Sequence, residues 1–210
     1  MNVSTNIPSP FERILGKALE DLAEPVRRLH SLEGDLTVSG LSDITVDSGI
    51  LPWLICKLGG LPRSGRDVPV TVRFKPDGRG RELWYRRFAD RRYQSEMRAT
   101  DSVNPPLLVE RLGPFSLYFR LTPRETSLDW TLVKWRVLGL PMPRWTLPKV
   151  ACNESGEGDR FIFDIDAAFP IAGHVIHYRG WLAPQWQSLG QSGATSQATP
   201  VSEPVLEKAA

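Results

Sequence analysis

The feature that most constrains this chain is a run of short alternating segments, separated by turns, from residue 68 to residue 182. Val68, Val70, Val72 and Phe74 alternate with Pro69, Thr71, Arg73 and Lys75, the period-two pattern of a strand with one buried face. Pro76-Asp77-Gly78 then supplies a turn. Residues 81–98, RELWYRRFADRRYQSEMR, read as two strands that reverse near Ala89 and Asp90. Trp84, Arg86 and Phe88 share one face of the first; Tyr93, Ser95 and Met97 share one face of the second. Pro105 and Pro106 lead a strand that reaches Leu112. Gly113-Pro114 turns the chain into Phe115, Leu117, Phe119 and Leu121, all on one face. The segment 126–138 is the longest, and its apolar phase slips from Leu128, Trp130 and Leu132 to Val133, Trp135 and Val137. A one-residue slip of this kind predicts a β-bulge or a strong bend. Leu140-Pro141-Met142-Pro143 ends that strand, and strands at 147–153, 160–167 and 173–182 complete the series.

Strands spaced this closely are joined by hairpins and form an antiparallel sheet. So many strands must curl, close or split to manage their edges. The predicted class is therefore mainly β (α+β): a strongly curved antiparallel sheet or barrel of about 8–10 strands, with an N-terminal amphipathic helix and a short second helix. A sheet wrapped around one long helix is the alternative, but the long helix here is N-terminal. Ser9-Pro10-Phe11-Glu12 is its start, with Ser9 as cap, Pro10 in the first turn and Glu12 closing the box. Phe11, Ile14, Leu15, Leu19, Leu22, Val26 and Leu29 form its apolar stripe. Pro25 predicts a break and a second short helix to about His30. A first strand is expected over 33–40. The apolar stretch 49–60 reads as a short helix from about Pro52, packed on the sheet or across a cavity mouth.

The 210 residues suit one domain over 9–186, with disordered segments at 1–8 and 187–210; the latter is rich in Gln, Ser, Gly, Ala and Thr. A net charge of +2 gives no footprint for nucleic acid. The seven arginines between 79 and 98 are interleaved with Glu82, Asp90 and Glu96, as on a solvated sheet face. Cys56 and Cys152 match neither a metal spacing nor a redox pair, and unpaired thiols suit a reducing cytoplasm. No signal peptide and no bilayer-spanning run is read.

Phe11 to Gly16, Val26-Arg27-Arg28-Leu29-His30, Trp84-x-Arg86-x-Phe88 with Ser95 beyond, Glu110-x-x-Gly113, Leu140-Pro141-x-Pro143, Phe163-Asp164 and Gly173 through Tyr178-x-Gly180-x-Leu182 occur in this order. Together they resemble a bacterial family known as domain of unknown function 4166, over about residues 11–184. The resemblance implies a domain often fused behind a Rossmann domain similar to saccharopine dehydrogenase, and hence a Rossmann-type reductase as partner. The chain itself has no Gly-x-Gly-x-x-Gly after a strand. The resemblance implies no activity and no cofactor.

Candidate chemistry centres on Arg86. If Trp84 and Phe88 face inward, so does Arg86, and a buried guanidinium needs a carboxylate or a ligand anion. Glu110, flanked at i±2 by Leu108 and Leu112, and Asp164, next to Ile162, are its candidate partners. Tyr178 adds a hydroxyl from a face shared with Ile176 and Leu182. His30 follows a helix, where a histidine interacts with the last carbonyls; it is also the best candidate acid/base group, with Glu110 or Asp164. His174 and His177 stand three apart on a strand and so on opposite faces, which is no metal pair. No Ser-His-Asp order or Gly-x-Ser-x-Gly elbow is present. The expected ligand site is Arg86, Trp84, Glu110, Asp164, Tyr178 and His30. The expected function is binding of a small apolar, amphipathic or lipid-like ligand inside the barrel. An enzyme or reductase accessory domain, and an interaction module without a cavity, are the alternatives.

Overall fold

The computed structural model describes residues 7–184, so most of the two segments expected to be disordered falls outside the described residues. Ten strands close into an antiparallel barrel. Around the wall they run β1 (Leu36–Val46), β2 (Gly65–Pro76), β3 (Arg81–Phe88), β4 (Arg91–Ala99), β5 (Leu108–Leu112), β6 (Phe115–Arg124), β7 (Ser127–Val137), β9 (Lys149–Glu157), β10 (Arg160–Phe169) and β11 (Gly173–Pro184). A two-residue strand, β8 (Leu140–Pro141), adds to β7 alone. Pairing of β11 with β1 closes the wall, and closure removes the free edges that an open sheet would present.

Local sequence explains the register. The β3–β4 reversal is made by Ala89, at φ 47°, and Asp90, a two-residue hairpin loop. It sets Arg86 opposite Tyr93 and Trp84 opposite Ser95, all facing inward. The predicted phase slip is a bulge: Tyr118 pairs with Lys134 and Phe119 with Leu132, so Val133 is skipped. Val133 packs outside the wall with Leu107, Val109 and Tyr118.

The first strand is longer than the expected 33–40 and runs on to Val46. Its inward positions include Gly40 and Ser42, which hide the alternation from any hydropathy reading. The glycine is needed, because a Cβ at Gly40 would stand 1.8 Å from the Trp181 carbonyl oxygen. On the facing strand a Cβ at Gly180 would stand 2.2 Å from the Leu41 oxygen and 2.7 Å from Phe163. The β1–β11 seam is drawn together over these two glycines.

The N-terminal segment plugs one end. Ser9 caps α1 (Pro10–Leu15): its hydroxyl accepts from the Glu12 N–H at 3.1 Å, and its own N–H donates to Glu12 Oε2 at 2.6 Å. The expected single helix is interrupted at Gly16, whose φ of 52° ends α1 and starts a 3₁₀ turn over Gly16–Leu19. α2 (Glu24–His30) follows with Pro25 in its first turn. Phe11, Leu19, Leu22, Val26 and Leu29 are buried in the main core. At the other end α3 (Ile50–Gly59), between β1 and β2, lies across the mouth and buries only Pro52, Cys56 and Gly59. Among the described residues no helix is long and apolar enough to cross a membrane.

Candidate functional site

The pocket-facing strand residues carry charged side chains at two places. The first is on the β3–β5 wall. Arg86 Nη1 donates to Ser95 Oγ at 2.6 Å and lies 3.3 Å from Glu110 Oε1. Both side chains of the ion pair are 13% exposed. The guanidinium carbon lies 4.7 Å from the Trp84 ring centre and 5.4 Å from that of Tyr93, within cation–π range of both. Burial works to lower the Arg86 pKa, but Tyr93, Glu110 and Tyr178 outweigh it and hold the group charged.

Across from this pair stand two phenols. Burial raises the Tyr93 pKa, and burial with Tyr93 beside it raises that of Tyr178 well above the ordinary value, so both remain O–H donors. The two hydroxyls interact, yet no hydrogen bond of good geometry is made to Tyr93, whose Oη is a buried atom without a partner among the described residues. Phe88 stacks on the Tyr93 ring at 6.0 Å and meets the Tyr178 ring edge-on at 5.9 Å. These groups border an interior pocket of about 170 Å³ whose remaining walls, apart from Glu154 and Cys152, are aliphatic and aromatic.

The second polar place is the barrel floor. His30 is fully buried, and its Nε2 donates to Glu154 Oε2 at 2.6 Å. Its carbonyl accepts from Ser9 Oγ at 2.7 Å, and Phe11 stacks on its ring at 3.8 Å. Glu82 is also buried; its Oε2 accepts from Trp84 Nε1 at 2.9 Å, while its Oε1 has no partner among the described residues. Burial pushes the Glu82 carboxyl up, against the Trp84 N–H and the nearby His30. Glu154, Trp84 and Trp130 reach the pocket, whereas His30 lies behind them. Cys152 borders the pocket too, but burial and Glu154 hold its thiol well above the ordinary value, which leaves it protonated and a poor nucleophile.

The barrel therefore brings together four of the six expected residues: Arg86, Trp84, Glu110 and Tyr178. His30 is not paired with Glu110 or Asp164, as expected, but with Glu154, from a strand 124 positions away. Asp164 is on the outer surface, where it accepts from His177 Nε2 at 2.8 Å. Phe161-Ile162-Phe163 is apolar in both phases, and the phase that buries two phenylalanines wins, which turns Ile162 and Asp164 outward. Tyr93 and Ser95 were outside the expected set although the two-residue reversal already places Tyr93 opposite Arg86. Glu82 and Glu154 carry no sequence signal beyond alternation.

A family model described as domain of unknown function (DUF4166) matches residues 22–182, well over half of the chain. No curated protein and no solved structure matches it.

Proposed function

The chain belongs to the family of the domain of unknown function DUF4166, and we propose that its barrel binds a small, largely apolar ligand carrying one hydrogen-bond-accepting oxygen. The observation that carries this reading is the buried Tyr93 hydroxyl in the pocket wall, which has the Tyr178 hydroxyl beside it but makes no hydrogen bond of good geometry among the described residues. A buried donor without a partner costs about 1–3 kcal/mol, and a ligand oxygen removes that cost. The charge of Arg86 is already matched by Glu110, so a neutral acceptor such as a carbonyl is favoured over a carboxylate. Aliphatic and aromatic walls set the character of the rest of the ligand. An apolar cavity of about 150 Å³ takes up benzene. A pocket of about 170 Å³ suits a substituted single ring or a short amphipathic chain.

Native mass spectrometry of the protein purified from cells tests the reading. The wild type is expected to carry an extra ligand mass, and Tyr93→Phe to lose it while remaining folded and at least as stable, because the substitution removes the cost of the buried hydroxyl. Equal retention by both proteins, or a bare pocket that takes up no added ligand, would sink the proposal. A Rossmann-type oxidoreductase, the partner implied by the resemblance, would act on the bound compound from outside the pocket. Within the pocket the Cys152 thiol is held protonated by burial and by Glu154.

A further inference from the structure

We infer that the α3 end of the barrel docks on the surface of an anionic lipid bilayer. The strand ends bring five connections to this rim: the α3 segment, the β3–β4 hairpin, the β5–β6 turn, the β7–β9 connection and the β10–β11 turn. Ile50, Trp53 and Leu58 on α3, Leu138, Leu140 and Trp145 after β7, and Ile171 before β11 are each exposed over more than half their surface. The connections touch. The Leu58 oxygen lies 3.6 Å from the position of a Cβ on Gly113, and the Leu138 N–H donates to the Pro114 oxygen at 2.8 Å. α3 itself packs against β11, next to the Ile171 turn. Large apolar side chains this exposed and this contiguous mark a binding surface.

Charge selects the partner. Residues 47–67, 89–92, 113–114, 138–149 and 170–172 of this rim hold seven Lys or Arg against three Asp, while the whole chain is only +2. At the plugged end, residues 7–35, 76–81, 100–107, 123–127 and 157–160 hold eight Arg or Lys against eleven Asp or Glu. The charge is thus polarised along the barrel axis, basic where the apolar side chains are. A two-fold dimer through the rim would set this basic patch against itself, whereas anionic headgroups match it.

Beside α3 a groove lined by Lys57, Arg63 and Arg91 faces outward, with Asp47 at its edge. Asp47 is taken by His174 Nδ1 at 2.8 Å, and Arg63 meets Asp90 only at 4.0 Å. Arg91 Nε is buried there without a partner among the described residues. Such a groove suits a lipid phosphate. Trp53 and Trp145 have the amphipathic rings that favour the membrane–water interface. The barrel walls carry charged residues outward, so the rim alone meets lipid. This inference does not depend on the pocket reading, although the pocket mouth faces the same surface: the inward residues Phe115, Leu117, Ile165 and Phe169 near α3 are only half-buried, while Phe74, Phe119 and Phe161 near the plug are buried.

The test is flotation with phosphatidylcholine vesicles, with and without about 30% phosphatidylglycerol, at about 0.1 M and 0.5 M salt. Wild-type protein is expected to float with the anionic vesicles at low salt and to bind roughly tenfold less at high salt. Leu58→Glu/Leu140→Glu and Lys57→Glu/Arg144→Glu should each lose binding by tenfold or more with unchanged circular dichroism. If one pair fails to fold, the other decides. Quenching of Trp53 and Trp145 by brominated lipid, lost in Trp53→Phe and Trp145→Phe, is the positional readout. No flotation, equal flotation with neutral vesicles, or variants that bind like wild type would overturn the inference. So would self-association abolished by Leu58→Glu/Leu140→Glu in a protein that ignores vesicles.

Discussion

Two buried side chains define the account at the scale of single residues. Arg86 is held by Glu110 and Ser95 under two aromatic rings. Arg86→Met leaves the Glu110 carboxylate nearly buried and unpaired, and should lower stability by about 3–5 kcal/mol in chemical denaturation. Arg86→Met/Glu110→Leu should recover most of that loss, because replacing both partners removes the stranded charge; a double variant as unstable as the single one would show that the pair is not the cause. Glu82 makes the opposite kind of prediction. Burial raises its carboxyl pKa in the native state, so between the unfolded value, about 4.3, and the native value the folded chain binds more protons than the unfolded one. Stability due to this group therefore falls as pH rises through that window. Glu82→Gln keeps an acceptor for the Trp84 N–H and removes the charge; its urea midpoint should lack that fall and exceed wild type above the window. Parallel pH profiles for the two proteins would contradict the assignment. Of these contacts, the Arg86–Glu110 pair was readable from the flanking apolar positions, and the Arg86–Tyr93 pairing from the length of the reversal. The His30–Glu154 pair was not, because barrel closure alone brings those strands together.

At the scale of elements, the plug and the seam are the parts that can fail separately. Leu19 is 5% exposed in the 3₁₀ turn that follows α1. Leu19→Ala should cost about 2–5 kcal/mol, as truncation of buried leucines does; a loss within about 0.5 kcal/mol would mean that the turn does not seal the floor. Gly180→Ala should cost at least the usual overpacking range of about 1–3 kcal/mol, since its Cβ would meet backbone as well as Phe163. Hydrogen exchange should then speed up along β1 and β11 before the β3–β5 wall; uniform loosening would argue against a distinct seam. Strand alternation made β2 through β7 legible, down to the bulge at Val133. In β1 the alternation stops short of Val46 because Gly40 and Ser42 occupy inward positions. The single helix expected from the apolar stripe is divided at Gly16, since the stripe records which side chains are buried and says nothing of the backbone turn between them.

At the scale of the whole molecule, closure into a barrel follows from the number of strands and the problem of their edges, and so was legible as a class. Which acidic residues face in was not, where neighbouring apolar residues allow both phases, as around Asp164. Closure also creates the central claim: a largely apolar interior with an ion pair already balanced and two donors without a partner among the described residues, the Trp130 N–H and, beside the ion pair, the Tyr93 hydroxyl. Isothermal titration calorimetry with acetophenone and α-methylstyrene, nearly the same shape with and without the carbonyl oxygen, tests that claim most directly. The account predicts that acetophenone binds wild type about tenfold more tightly, the worth of one hydrogen bond of roughly 1.4 kcal/mol, and that the preference disappears in Tyr93→Phe. Equal affinity of wild type for the two compounds, or an undiminished carbonyl preference in Tyr93→Phe, would contradict it.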